Sequence, residues 1–282
     1  MIGEEPGYPR FRGKNRYDSF IYPQFGSPLR SGKLHLSKIG DIKIKMHREI
    51  DGSIKTCTIR RMPTGKWFAC FSVETNTALP PRRDGPAVGI DVGLQSFATR
   101  STGEKIDNPR FFRSDEEGLA RVQRKHPKAQ KGSPERKNAL KVVQRVHARI
   151  ADHRTDFINQ ISCDLVDRFS ILAFEDLDIK NMVLNHNLAK SISDVAWGML
   201  VTAAQDRTAY AGSEVVLVYP RNTSQVCSGC GIIVQIELSD RVHSVPGCGL
   251  SILSMDRDIN AALNILKLGR QFLRQIDGIP GL

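Results

Sequence analysis

Three acidic positions and three cysteines supply most of the chemistry open to this chain. Asp91 follows the apolar run AVGI and lies between Gly89 and Gly93. Glu175 ends the apolar run ILAF, and Asp256 and Asp258 open the stretch MDRDINAALNIL. Acids at strand ends and at a helix start can converge on one pole of a sheet. Hard divalent cations such as Mg²⁺ take oxygen ligands. Two such cations about 4 Å apart activate water and stabilise the leaving oxygen of a phosphodiester. Each acid also has a plain structural explanation. An Asp after a strand forms turns, and Glu175 beside Asp176 and Asp178 can face solvent. Asp256 and Asp258 can cap a helix and complement its dipole.

The cysteines divide into two sets. Cys227 and Cys230 form a C-x-x-C pair and Cys248 follows after a short hairpin-like stretch. Structural zinc takes four ligands in a tetrahedron. Three are evident here, and Val245 stands where a second pair would place the fourth. His243, two residues upstream, is a chemically competent substitute. Cys57, Cys70 and Cys163 stand singly among apolar neighbours and read as inert core residues.

The elements that must position these groups follow from pattern and composition. Period-2 stretches broken by D-G and T-G turns over residues 32–76 predict antiparallel sheet, as in part of a β-barrel. TALPPRRDGP at 77–86 reads as a linker. Beyond it, AVGID, SILAFE and EVVLVYP read as buried strands, with a second strand through Phe97. Helices are predicted over 115–168, split near Pro127 and the KGSP turn, over 191–211, and from Met255 onward. Leu140, Val143, Val146, Ile150, Phe157, Ile161 and Leu165 mark an apolar helical stripe. Strands alternating with crossover helices imply an α/β domain over 86–282, after a β domain over 1–85.

The chain has 282 residues and a formal charge of +11, which favours a polyanionic partner and makes nucleic acid the default. No apolar run approaches the ~18 residues of a membrane span. The polar start, without a signal-peptide core, points to the cytoplasm. Lys141, Arg145 and Arg149 form one basic ridge on the long second helix, suited to phosphates. Arg221 is a candidate phosphate ligand near the acids. Lys14, Arg16, Arg60, Arg61 and Lys66 could touch RNA or duplex from the β domain. Trp197 reads as core.

Four ordered motifs carry a resemblance: GIDVG at 89–93, FEDL at 174–177, SQVCSGCG at 224–231 and DRDINAALNIL at 256–266. Together they closely resemble TnpB-type (OrfB) proteins of bacterial insertion sequences, a family of RNA-guided DNA endonucleases related to compact type V CRISPR nucleases. The resemblance implies a RuvC-like (RNase H-type) α/β nuclease domain with a zinc ribbon inserted at about 221–255. Part of an antiparallel wedge β-barrel would precede it. It implies a catalytic triad of Asp91, Glu175 and Asp258 holding two Mg²⁺ ions. Asp258 is preferred to Asp256 because Asn260 keeps the family's D-x-N pattern. Structural Zn²⁺ would sit on Cys227, Cys230 and Cys248. Partners would be a guide RNA from the gene's own 3′ flank and target double-stranded DNA.

Three departures from the family stand out. Val245 replaces a ribbon cysteine, which leaves His243, a water or a weakened site. GLSILSM lengthens the approach to Asp256 by about three residues. Met1 enters within the wedge barrel, so the chain reads as a truncated member. The departures keep open a cleavage-inactive, repressor-like protein or an inert remnant, and an unguided RuvC-like nuclease is a further alternative.

Overall fold

The computed structural model describes residues 17–25, 29–30, 32–76, 78–128, 130–182, 184, 189–236, 240–243, 245, 248 and 255–277. They divide into two compact units. One comprises residues up to 78 together with 126–145, and the other 79–125 together with residues from 146 onward. Lys14, Arg16 and most of the GLSILSM connection lie outside the described residues.

The first unit is antiparallel. Its strands are β1 (Ser19–Tyr22), β2 (Leu29–Arg30), β3 (Lys33–Leu36), β4 (Gly40–Lys43), β5 (Ser53–Arg61) and β6 (Trp67–Glu74). Among the described residues they form two three-stranded sheets, ordered β1-β5-β6 and β2-β3-β4. Period-2 alternation buries Leu34 and Leu36 from β3 with Cys57 and Ile59 from β5, and Phe25 closes this small core. Cys57 is buried as expected. Cys70 is exposed, contrary to its sequence reading, because it shares the outward-facing parity of β6 with Phe68, Ser72 and Glu74.

The second unit holds a five-stranded sheet. Its elements are β7 (Ala87–Val92), β8 (Ser96–Arg100), β9 (Lys105–Asp107), α1 (Phe111–Lys128), α2 (Pro134–Arg168), β10 (Ile171–Glu175), α3 (Ile179–Met182), α4 (Ala189–Val195), α5 (Trp197–Ala211), β11 (Glu214–Val218), β12 (Val242–His243), β13 (Met255–Asp256) and α6 (Arg257–Asp277). Residues 126–145, the end of α1 and the start of α2, are grouped with the first unit. The sheet order is β11-β10-β7-β8-β9. β11, β10 and β7 are parallel, whereas β8 and β9 return antiparallel.

Alternation along the strands sends side chains to two different layers. Val88, Ile90, Leu172 and Phe174 enter one core with Ile158, Leu165, Trp197 and Leu200 from α2 and α5. Ala173, Val216 and Val218 enter the opposite core with Ile265 and Leu273 of α6. The result is a helix–sheet–helix sandwich.

Several expectations are refined here. Leu140 is exposed, so the apolar stripe of α2 starts at Val143; Ile150 and Leu165 are fully buried, and the other stripe residues are partly buried. Cys163 is exposed on α2, not core. Its sulfur accepts from Arg207 Nε at 3.2 Å. The helix predicted over 191–211 is two helices, broken at Ala196, whose φ of 56° is left-handed. The break leaves Trp197 buried at the start of α5, as its sequence reading required.

Candidate active site and cysteine knuckle

Parity along two neighbouring strands determines where the acids go. On β7, Gly89 faces α6, and Asp91 shares its parity. On β10, Ala173 belongs to the α6-side core, and Glu175 shares its parity. The parallel register pairs Ala173 with Gly89 and Phe174 with Ile90. Asp91 and Glu175 each follow one residue later, at the carboxyl ends of adjacent strands on the same face. Helix α6 crosses that face and carries Asp258 in its first turn.

Gly89 lets the helix approach so closely. A Cβ there would lie 2.0 Å from the Ala262 carbonyl oxygen and 2.6 Å from the Leu266 nitrogen. The glycine before Asp91 is therefore a packing requirement that sets the distance between strand-borne and helix-borne acids.

Electrostatics register the convergence. Burial raises the Asp91 carboxyl well above the usual carboxylate range, and the charges of Glu175, Asp258 and Asp256 push it further. The Arg257 guanidinium opposes them. Burial also raises Glu175, against a hydrogen bond donated by the Thr223 hydroxyl to its Oε1. Arg257 lies 3.3 Å from Asp258 Oδ1.

Asp256 and Asp258 have different occupations. Asp256 Oδ1 accepts from the Asp258 and Ile259 nitrogens at 3.0 and 3.3 Å, as a helix N-cap does. Its Oδ2 accepts from Lys105 Nζ at 2.6 Å. Burial raises its carboxyl, but Lys105 and the cap bonds outweigh that and hold it below the usual range. Asp258 makes no such cap.

The donor set of Asp91, Glu175 and Asp258 is all oxygen, anionic and partly buried, which suits a hard divalent cation and leaves the acids crowded without one. Their oxygens do not form a cluster within 4.8 Å of one another. A pair of cations about 4 Å apart does not require all three acids to meet at one point.

The cysteines are tighter. Cys227, Cys230 and Cys248 bring their sulfurs within 4.8 Å of one another, the one such group of three metal-ligating side chains among the described residues. Cys227 and Cys248 sulfurs are 3.9 Å apart. Zn–S bonds of ~2.3 Å in a tetrahedron separate sulfurs by about 3.8 Å, so the three thiols fit zinc. The knuckle turns at Gly231, whose φ is 78°, with Gly231 nitrogen donating to the Cys227 carbonyl. Burial pushes the Cys227 thiol up. Bonds from the Cys230 and Gly229 backbone and from the other two thiols outweigh this and leave it below the usual range.

His243 does not join that cluster. It sits on β12, paired with Met255, and is buried with neither ring nitrogen hydrogen-bonded. Burial holds it below the usual histidine range, opposed by the nearby Ser224 backbone. Val245 is buried too, and its carbonyl accepts from the Cys248 nitrogen at 3.2 Å.

Lys141, Arg145 and Arg149 are exposed along α2. Arg221 is exposed in the turn after β11, the strand whose Val218 pairs with Glu175. Thr223, Lys105, Arg257 and Asn264 also serve the site without having been singled out from sequence. Asn260 and Asn264, one turn apart in the otherwise apolar NAALNIL, are the sequence signal that could have found them.

Comparison with known proteins fits this arrangement. The family model OrfB_IS605, described as "Probable transposase", matches residues 70–186, and that of the Cas12f1-like TNB domain matches 197–265. A Streptomyces pristinaespiralis protein provisionally named RNA-guided DNA endonuclease is 36% identical over 280 residues, spanning 96% of this chain and 68% of that protein. The chain belongs to the TnpB (OrfB) family. InsQ of Escherichia coli K12, a family member with the same provisional name, is 27% identical over 94% of this chain and 69% of its own length. The fold resembles Cas12f1 in its cryo-EM complex with sgRNA and target DNA, at a TM-score of 0.51 and 18% identity, over 76% of this chain and 45% of Cas12f1. The chain thus spans roughly two thirds of these TnpB relatives and under half of that Cas12f1 chain. No helix among the described residues is long and apolar enough to cross a membrane.

Proposed function

We propose that this chain is an RNA-guided, Mg²⁺-dependent DNA endonuclease whose α/β domain is RuvC-like. The observation that carries the reading is the shared face of Asp91 and Glu175, closed by the first turn of α6 with Asp258. Those three carboxylates would hold the divalent cations. When bound, such cations supply a nucleophile at neutral pH and stabilise charge on the leaving oxygen.

The chain's own residues do the rest. Gly89 fixes the helix-to-strand distance. Thr223 donates a hydrogen bond to Glu175. Asp256 caps α6 and takes the charge of Lys105, so that Asp258 stays open to the site. Arg257 offsets the summed negative charge. Cys227, Cys230 and Cys248 would hold a structural zinc ion that fixes the segment between β11 and α6. Sequence would be read by pairing between a guide RNA from the gene's 3′ flank and the target DNA, with the protein gripping backbone. Lys141, Arg145, Arg149 and Arg221 are exposed cations suited to that grip.

The test is cleavage of guide-matched plasmid by chain copurified with that RNA, in Mg²⁺. Single substitutions Asp91→Ala, Glu175→Gln and Asp258→Ala should each abolish cleavage and retain guided binding. Cleavage surviving these substitutions would refute the assignment. Guided binding by the wild-type chain without cleavage would make it a repressor-like protein. Cleavage that ignores the guide would make it an unguided nuclease.

A further inference from the structure

Thr223 is buried, and its hydroxyl donates to Glu175 Oε1. It lies in the turn that leads from β11 into the cysteine knuckle. Asn222, at a left-handed φ of 59°, forms the corner, and its carbonyl accepts from the Gln225 and Val226 nitrogens at 3.0 and 2.8 Å.

Two buried asparagines on α6 grip this turn. Asn264 Nδ2 donates to the carbonyls of Thr223 and Val226 at 2.8 and 2.6 Å. Asn260 Nδ2 donates to Val226 at 2.7 Å, and its Oδ1 accepts from the Ser228 nitrogen at 2.8 Å. Helix α6 therefore holds three things at once: Asp258 in its first turn, the knuckle segment through Asn260, and Thr223 through Asn264. Asn260 is satisfied at both ends of its amide, and Asn264 donates twice; such buried links are rigid, because breaking one leaves an unpaired polar group.

We propose that Thr223 is a positioning residue: clamped by Asn264, it fixes one oxygen of Glu175 so that the other is presented for a divalent cation, in register with Asp258. The proposal rests on the reading of Glu175 as a cation ligand. A glutamate at a strand end has rotatable bonds to lose. A donor on one oxygen selects the rotamer and leaves the second oxygen directed at the site. Partners of this kind typically change metal affinity by about 10–100-fold when removed.

The experiment uses the guide-loaded chain. Thr223→Val keeps the shape and deletes the donor. It should raise the Mg²⁺ concentration for half-maximal cleavage about tenfold or more, with guided DNA binding unchanged. Thr223→Ser should restore the wild-type value, which a purely space-filling role would not require. Direct Mn²⁺ titration by calorimetry should show the same loss and recovery without any turnover. Thr223→Ala, with the same two readouts and a melting curve, covers the case in which valine disturbs folding. Unchanged Mg²⁺ dependence and Mn²⁺ affinity in the Val and Ala variants would overturn the proposal. If Glu175→Gln abolishes cleavage while Thr223→Val is unaffected, only the Thr223 inference falls. If Glu175→Gln cleaves normally, the reading of the site falls and this inference with it.

Discussion

Asp91 carries a carboxyl that burial and three neighbouring acids keep protonated above its ordinary range. The sign of the linkage follows. An unfolded Asp titrates near ~3.9. Between that value and the higher folded one, the folded chain binds the extra proton, so stability falls as pH rises. Asp91→Asn should therefore raise the melting temperature at pH 7 without added divalent cation, and the gain should vanish near pH 4. Melting curves from pH 4 to 8 check this; parallel curves for wild type and variant would contradict it. Asp256 and Asp258, two residues apart, should separate cleanly. Asp256→Ala removes a helix cap and should cost about 0.5–2 kcal/mol in a denaturant titration, with cleavage per folded molecule largely kept. Asp258→Ala should keep stability and lose cleavage by orders of magnitude. The sequence could narrow the choice only through the D-x-N pattern. The hydrogen bonds decide which acid caps the helix, because capping depends on backbone geometry at Asp258 and Ile259.

At the scale of elements, the packing of α6 on β7 sets the site. Gly89→Ala would drive a methyl into the backbone of α6 at Ala262. Overpacking of this kind costs roughly 1–3 kcal/mol. Because the relief must move α6 or β7, cleavage should fall further than stability implies. A variant as stable and as active as wild type would contradict this. Much of this layer was legible. AVGID and ILAFE read as buried strands ending in acids because a strand buried on both faces is nearly continuous apolar sequence. The C-x-x-C pair read as a knuckle because its spacing fits two ligands on one turn. Other features were not legible. The break at Ala196 is invisible because alanine is the strongest helix former. β9 is three residues long and follows a turn, too short for a periodic signal. Cys70 and Cys163 misled because composition around a cysteine does not say which face of the strand or helix it occupies. Thr223 gave no signal, since its partner Glu175 lies 48 positions away.

At the scale of the whole molecule, net charge and exposed cations govern binding to polyanions. With a formal charge of +11, affinity for guide RNA and target DNA should fall steeply with salt. Replacing exposed Lys141 and Arg145 by glutamine should reduce the slope of log affinity against log salt by about 1.8 on duplex DNA if both contact phosphate. It should weaken matched and mismatched targets alike. An unchanged slope would remove the α2 ridge from the nucleic-acid interface. The central claim, however, is that this face of the sheet hydrolyses DNA under guide control. Its most direct test is cleavage of a guide-matched plasmid in Mg²⁺ by the chain bound to RNA from its gene's 3′ flank, with Asp91→Ala beside it. The account predicts guide-dependent cleavage by the wild-type chain and guided binding alone by the variant. Equal cleavage by both, or no cleavage by the wild-type chain on DNA that it binds through its guide, would contradict it.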